Sequence, residues 1–308
     1  MNKNSKIYIA GHKGLVGNGI LKKLIELGYS NLVMRSHFEL DLQNKEKVFK
    51  FFEQEKPEYV FLAAAKVGGI QANKNYPVEF LYNNLEIQNN VIMAAYKFKV
   101  KKLMFLGSSC IYPKNSEQPM KEEYLLTGEL ESIKETYSLA KISGLKLCEY
   151  FRKQYGCDFI SVMPTNVYGP NDNFDLETSH VIPGLMRRFY EAKITQKEEV
   201  VIWGSGKIKR EFMYIDDLSD ALVFLMNNYS ENKFINIGTG IDIEINELAE
   251  IIKEIVGYKG KIINDLSKPD GTPRRLLDVS RLEAAGWKYK VELKEGIEKT
   301  YKWYLENK

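Results

Sequence analysis

Residues 7–17 read Ile7-Tyr8-Ile9-Ala10-Gly11-His12-Lys13-Gly14-Leu15-Val16-Gly17, and their order decides the fold. An apolar strand-like run ends in three glycines spaced G-x-x-G-x-x-G, and a stretch with helical period, Asn18–Leu27, follows. A strand that turns through glycines into a helix leaves backbone N–H groups free at the helix start, where a pyrophosphate can approach. Glycines also punctuate ordinary turns. Placement between the first strand and the first helix of a βα chain turns this triplet into a nucleotide loop.

Working outward, the alternation continues. Leu32–Arg35 precedes the helical period Lys45–Glu55, Tyr59–Ala63 precedes Asn83–Phe98, and Lys102–Leu106 and Phe159–Met163 add two more strands. Continuous apolarity in Tyr59-Val60-Phe61-Leu62-Ala63 suits a strand covered by helices on both faces. The expected class is therefore α/β, a Rossmann-type doubly wound parallel sheet. Beyond Pro164 the pattern loosens, with a helix over Val181–Ala192, strands at Glu199–Trp203 and Phe234–Ile237, and helices at Asn246–Val256 and Leu293–Asn307. This predicts residues 1–165 as a dinucleotide-binding domain, to which segment 211–239 returns, and 166–308 as mainly a smaller, interleaved C-terminal substrate lobe. No Gly/Ser linker separates the two, so they share a broad interface and a cleft at the carboxyl ends of the strands.

The 308 residues carry 44 Lys+Arg against 41 Asp+Glu, a net charge of +3, which is no electrostatic footprint for nucleic acid. Hydrophobic residues make up 44%, enough for a sizeable core and too many for a disordered chain. Three cysteines, Cys110, Cys148 and Cys157, do not make a disulfide framework and suit a reducing compartment. No run approaches a membrane span, and Met-Asn-Lys-Asn-Ser-Lys passes straight into the first strand without a signal h-region. A cytoplasmic protein with neither nucleic acid nor membrane as partner is expected, and no residue set is singled out for a metal.

The second strand ends Val33-Met34-Arg35-Ser36-His37, placing a guanidinium where an NAD site carries an acid against the ribose 2′-hydroxyl. Arg35, with Lys13 in the loop, suits a 2′-phosphate, so NADP(H) is the expected cofactor on Gly11, Lys13, Gly14, Gly17 and Arg35. Taken without that context the two are solvated cations. Asp41 lies just beyond, toward the adenine edge.

Tyr137-Ser138-Leu139-Ala140-Lys141 sets a phenol and an ammonium four apart on one helix face. Among 19 tyrosines this spacing alone says little. It gains meaning from Gly107-Ser108-Ser109-Cys110, where hydroxyls emerge at the end of the strand Lys102–Leu106, close to where a nicotinamide would lie. The parts describe carbonyl reduction: a hydride from NADPH, a proton from Tyr137 with its phenolate stabilised by Lys141, and Ser108 on the substrate oxygen.

These motifs resemble the extended short-chain dehydrogenases/reductases that act on nucleotide sugars. Closer still, "IAGHKGLVGNGI" from Ile9, "LAAAKVGGIQAN", "FLGSSCIYPK", "VMPTNVYGPNDNF", "SHVIPGLMRRF", "VIWGSGKIKREF" and "KPDGTPRRLLDVSRL" resemble the GDP-L-fucose synthase family along nearly the whole chain. That family consists of GDP-4-keto-6-deoxy-mannose 3,5-epimerase/4-reductases. The resemblance implies a second chemistry on the same site, with Cys110 and His180 as base and acid for inverting C3 and C5. Chemistry agrees, because a 4-keto group acidifies both neighbouring C–H bonds, and a thiol and an imidazole can both move protons near neutral pH. Without the motif, Cys110 reads as a small buried hydrophobe and His180 as a capping or packing histidine.

The resemblance also implies that Pro164, Thr165, Asn166, Val167 and His180 border the nicotinamide, and that Asn166, Arg188, Trp203, Arg210 and Asp270 hold a GDP-sugar in a homodimeric enzyme. Arg274 and Arg275 are further candidates by charge, and Cys148 and Cys157 read as structural. Two other functions stay open: a GDP-4-keto-heptose 4-reductase without epimerase activity, and a non-catalytic NADP(H)-sensing protein.

Overall fold

The computed structural model describes residues 1–268 and 270–308, without the side chain of residue 70. In chain order the first half runs β1 (Ile7–Ala10), α1 (Leu15–Glu26), β2 (Leu32–Val33), α2 (Lys45–Glu55), β3 (Tyr59–Leu62), α3 (Ile70–Asn75), α4 (Pro77–Lys97), β4 (Lys102–Leu106), α5 (Glu135–Tyr155) and β5 (Phe159–Pro164). The second half runs β6 (Asn166–Tyr168), α6 (Val181–Ile194), β7 (Glu199–Trp203), β8 (Lys209–Tyr214), α7 (Ile215–Asn228), β9 (Ile235–Ile237), β10 (Asp242–Glu244), α8 (Ile245–Val256), β11 (Lys261–Asp265), β12 (Arg274–Arg275), α9 (Ser280–Ala284) and α10 (Leu293–Asn307).

Six strands form one parallel sheet in the order β2-β1-β3-β4-β5-β9. Strand side chains alternate between faces, so each apolar strand feeds two cores. Ile7, Ile9, Phe61, Met104 and Val162 share one core with Ile20 and Leu24 of α1 and Leu218 and Leu222 of α7. Tyr8, Ala10, Val60, Leu62, Leu103 and Phe105 share the other with Val48 and Phe52 of α2, Val91 and Ile92 of α4, and Leu145 of α5. The doubly wound expectation holds. The order reverses between β1 and β3, which opens a crevice at their carboxyl ends.

Local differences have physical reasons. The helix expected from Asn83 begins at Pro77, whose fixed φ and missing N–H suit a first helical position. The second strand stops at Val33, so Arg35 lies in the loop beyond it. The helix α7 carries no clear period in sequence because it is buried nearly all round, from Ile215 and Leu218 to Leu225 and Met226. Among the described residues no helix is long and apolar enough to cross a membrane.

The smaller lobe holds β10-β8-β12, with β6 alongside β8, and a separate β7–β11 pair. Chain segments interleave: β8 belongs to this smaller sheet, whereas α7 packs on α1 and β9 on β5. Glu211 joins the parts. Fully buried, its carboxylate accepts the N–H groups of Thr239 (2.7 Å) and Gly240 (2.8 Å), just past β9, and of Leu277 (3.0 Å), just past β12. Burial pushes its carboxyl up to about 7 against the pull of these donors. We expect Glu211→Ala to lower stability by about 2–4 kcal/mol, since it strands one buried and two partly buried N–H groups. Urea unfolding checks this, and a loss under about 1 kcal/mol contradicts it.

Candidate active site

Four strand ends build one cavity. It is lined by Gly11–Gly17 after β1, Ala63–Gly68 after β3, Leu106–Cys110 at the end of β4 and Pro164–Val167 at the end of β5, and it encloses about 750 Å³. That volume lies in the range of small-molecule and cofactor sites. Arg35, Asp41, Lys134, Tyr137, Lys141 and His180 complete the wall.

The glycine loop fits a dinucleotide. Gly11 has φ +89°, and a Cβ there would meet the Ala64 nitrogen at 2.7 Å; a Cβ on Gly17 would lie 2.1 Å from the Gly11 carbonyl oxygen. These two glycines let the turn close on itself and on β3. A Cβ on Gly14 would make only an ordinary contact, 3.6 Å from the Gly11 carbonyl oxygen, and Gly14 starts α1 with no side-chain cap, so the first N–H groups of the helix are available to an anion. His12 adds a buried Nδ1 without a hydrogen-bond partner. Arg35 reaches the same cavity, held by Glu55 at 2.5 Å and resting on the Phe51 ring at 5.4 Å. Asp41 accepts the Gln43 N–H at 3.0 Å, while Asn90 of α4 donates to the Leu42 and Gln43 carbonyls at 3.0 Å, which fixes this stretch of wall.

The reacting end is held as tightly. A 3-10 turn, Ser109–Ile111, follows β4. Ser108 Oγ accepts the Cys110 N–H at 3.2 Å, Ser138 Oγ of α5 donates to the Cys110 carbonyl at 2.8 Å, and Arg275 donates to the Ser109 carbonyl at 3.2 Å. Burial pushes the Cys110 thiol up, but Lys134, Arg275 and the Ser108 hydroxyl together outweigh it and hold the thiol below its usual value. Thiolate is the reactive form of a cysteine base.

Tyr137 lines the cavity together with Ser108, and its ring stands edge-on to Phe80 at 6.3 Å. Lys141 lies one turn on, its Nζ donating to the Leu106 carbonyl at 2.8 Å and 5.7 Å from the Tyr137 ring centre. Burial, then the neighbouring Cys110, raises the Tyr137 phenol far above its ordinary value, and burial lowers Lys141 to about 7. At neutral pH the phenol keeps its proton, which is the form a proton donor to a carbonyl needs.

His180 starts α6, but its side chain makes no cap bond, so capping does not explain it. Its ring opens onto the cavity, yet the enclosing protein, then Lys134, lowers it to about 4. Both influences favour the neutral imidazole, and an anionic ligand beside it would draw the proton back. Lys134 was not legible in the sequence. It caps α5 three residues before Tyr137, and nothing in its spacing sets it apart from other lysines.

The lobe residues gather beside the cavity rather than in it. Arg188 approaches the Trp203 ring at 6.0 Å, Trp203 is 58% exposed, and Asp270 accepts the Ser205 N–H at 2.8 Å. Arg210 lies against Gly271 and, by burial and then repulsion from Arg275, is lowered to about 10. Among the described residues neither Arg188 nor Arg210 makes an ion pair. Arg274 is bound to Asp242 at 2.5 Å and Arg275 to Glu131 at 3.1 Å.

Comparison with known proteins adds the lineage. Residues 7–238 match the NAD dependent epimerase/dehydratase family. A putative GDP-L-fucose synthase 2 of Arabidopsis thaliana is 57% identical, with 100% of this chain and 94% of the relative covered. The GDP-L-fucose synthase of Escherichia coli K12 is 50% identical over 98% of this chain and 97% of its own. A solved GDP-mannoheptose C4 reductase of Campylobacter jejuni with NADP bound superposes with a TM-score of 0.91 at 44% identity, covering 99% of both chains. A glycine loop on β1, a Ser108–Tyr137–Lys141 set at the end of β4 and full-length likeness to these enzymes agree, and the chain belongs to the NAD dependent epimerase/dehydratase family, in the group that contains the GDP-L-fucose synthases.

Proposed function

We propose that this protein is an NADPH-dependent epimerase/reductase that converts a GDP-4-keto-6-deoxy-hexose by inverting C3 and C5 and reducing C4. The carrying observation is that one cavity joins a dinucleotide loop to Ser108, Tyr137, Lys141, Cys110 and His180, a hydroxyl, a phenol, an ammonium, a thiol and an imidazole. Binding alone needs no proton carriers in the cleft, which weighs against a sensor. Gly11, Lys13, Gly14, Gly17, Arg35 and Asp41 take the adenosine and diphosphate side of NADPH, and Pro164, Thr165, Asn166 and Val167 border its nicotinamide. Bound there, NADPH supplies the hydride for C4.

The protein's own groups do the rest. Ser108 and Tyr137 hold the C4 oxygen, polarise the carbonyl and so acidify the hydrogens at C3 and C5. Cys110, biased toward thiolate, takes such a proton, and His180 returns one to the opposite face after acquiring it as the anionic substrate binds. Tyr137 then protonates the C4 oxygen as it is reduced, with Lys141 fixed beside it. Arg188 and Arg210 receive the diphosphate, and Trp203 and Asp270 the base.

Two outer features complete the reading. Tyr82 and Met93 of α4, and Leu139 and Tyr150 of α5, are exposed large apolar side chains on neighbouring helices, each pair three turns apart on one face. Such a face suits a second copy of the chain, giving a homodimer. Three free cysteines suit the cytoplasm.

Incubation with NADPH and GDP-4-keto-6-deoxy-mannose in D2O tests the function. Cofactor oxidation with deuterium at both C3 and C5 is expected. Oxidation without deuterium leaves a 4-reductase, the heptose-type alternative, and neither signal removes the proposal.

A further inference from the structure

Among the described residues, two buried oxygen atoms on the cavity wall have no hydrogen-bond donor. Asn73 is 3% exposed, and its Nδ2 donates to the carbonyls of Gly68 (2.9 Å) and Gly69 (3.0 Å). Those two bonds fix which way the amide faces and leave Oδ1 as its free end, buried and without a partner. On the same cavity wall, Asp172 accepts the Asn173 N–H through Oδ1 at 2.7 Å, and among the described residues its buried Oδ2 has no partner. Both residues line the same cavity as Ser108, Cys110, Tyr137 and His180.

Their loops are braced, so neither oxygen is a stray surface atom. The Gly69 N–H donates to the Thr178 carbonyl at 3.2 Å, joining one loop to the other, and Asn171 donates to Asn18 of α1 at 3.0 Å. Asn73 lies on α3, which packs against the 3-10 turn Ser132–Lys134 that leads into the Tyr137 helix. Buried acceptors kept without donors mark a place where a ligand supplies them. Phosphate oxygens are acceptors themselves and do not answer this need. Hydroxyl groups do.

We propose that Asn73 and Asp172 form a hydroxyl-recognition subsite, accepting O–H groups of a sugar ring held at the reacting end of the cavity. It rests on reading the cavity as a site for a sugar nucleotide and NADP(H). The subsite selects ligands by their ring hydroxyls, independently of the cations that hold the diphosphate. Burial raises the Asp172 carboxyl to about 7, consistent with a pocket built for a neutral polyol rather than a cation.

Isothermal titration of the full chain with GDP-mannose, GDP and NADPH reads this without turnover. Asp172→Asn keeps Oδ1 and turns the orphan acceptor into a donor; Asn73→Ala is the second variant, with melting curves to show that both fold. Each is expected to weaken GDP-mannose about 10-fold while GDP stays within about 2-fold. A 10-fold loss of NADPH with GDP-mannose unchanged also supports the subsite and assigns its hydroxyls to the cofactor ribose. Unchanged binding of both ligands to Asp172→Asn overturns the proposal, as does equal weakening of GDP and GDP-mannose with NADPH unchanged. Failure of the epimerase/reductase reading shows separately, as absent NADPH oxidation in the wild type.

Discussion

Tyr137→Phe lowers the rate of C4 reduction by about 10²–10⁴-fold and leaves the NADPH dissociation constant within about 2-fold. The phenol lines the cavity beside Ser108 and the protein around it raises its pKa, which favours the protonated form, so it is the donor placed for the oxygen that gains charge. Phenylalanine keeps the ring against Phe80 and deletes only the O–H. Lys141 cannot take over, because its Nζ is drawn to the Leu106 carbonyl at the end of β4. Stopped-flow absorbance of NADPH with a 4-keto sugar nucleotide measures the step. A loss under 5-fold would show that another group delivers the proton.

Cys110→Ser is the second large effect, and it separates the half-reactions. Deuterium uptake at C3 and C5 should fall by about 10²–10⁴-fold, while C4 reduction continues on the unepimerised sugar. Serine fits the same 3-10 turn, whose backbone is pinned by Ser108, Ser138 and Arg275, so the loss is chemical rather than architectural. A hydroxyl has no accessible anion at neutral pH, whereas Lys134 and Arg275 hold this thiol below its ordinary value despite burial. Mass spectrometry of the product in D2O gives the result. Normal exchange in the variant would remove Cys110 as the base.

The parallel sheet and the glycine loop were legible because both are local in the sequence: each strand announces itself by continuous apolarity, and the loop by three glycines between a strand and a helix. Ser108, Tyr137 and Lys141 could be linked because strand end and helix period carry them to one place. Lys134, Asn73 and Asp172 could not. Each matters through what surrounds it in space, an unpaired ammonium or an oxygen lacking a donor, and no spacing encodes that. Glu211 was hidden for the same reason, since its partners lie 28 to 66 residues away. The upward shift of the Tyr137 phenol and the downward shift of the Lys141 ammonium come from burial, which their i, i+4 spacing does not encode.

The interleaving of β8, α7 and β9 limits how the molecule can be cut. A fragment ending near residue 165 would contain every residue of the glycine loop and Tyr137, yet it would lack β9, the edge partner of β5, and α7, the cover of α1. The exposed β5 flank, Val162-Met163-Pro164, and the bared apolar side of α1 would then invite self-association. Cofactor binding is encoded in the first half of the gene but becomes foldable only after the chain has been synthesised past residue 237. The ribosome must therefore release both lobes almost complete before either can settle, and a chaperone would meet this protein as one late-closing unit.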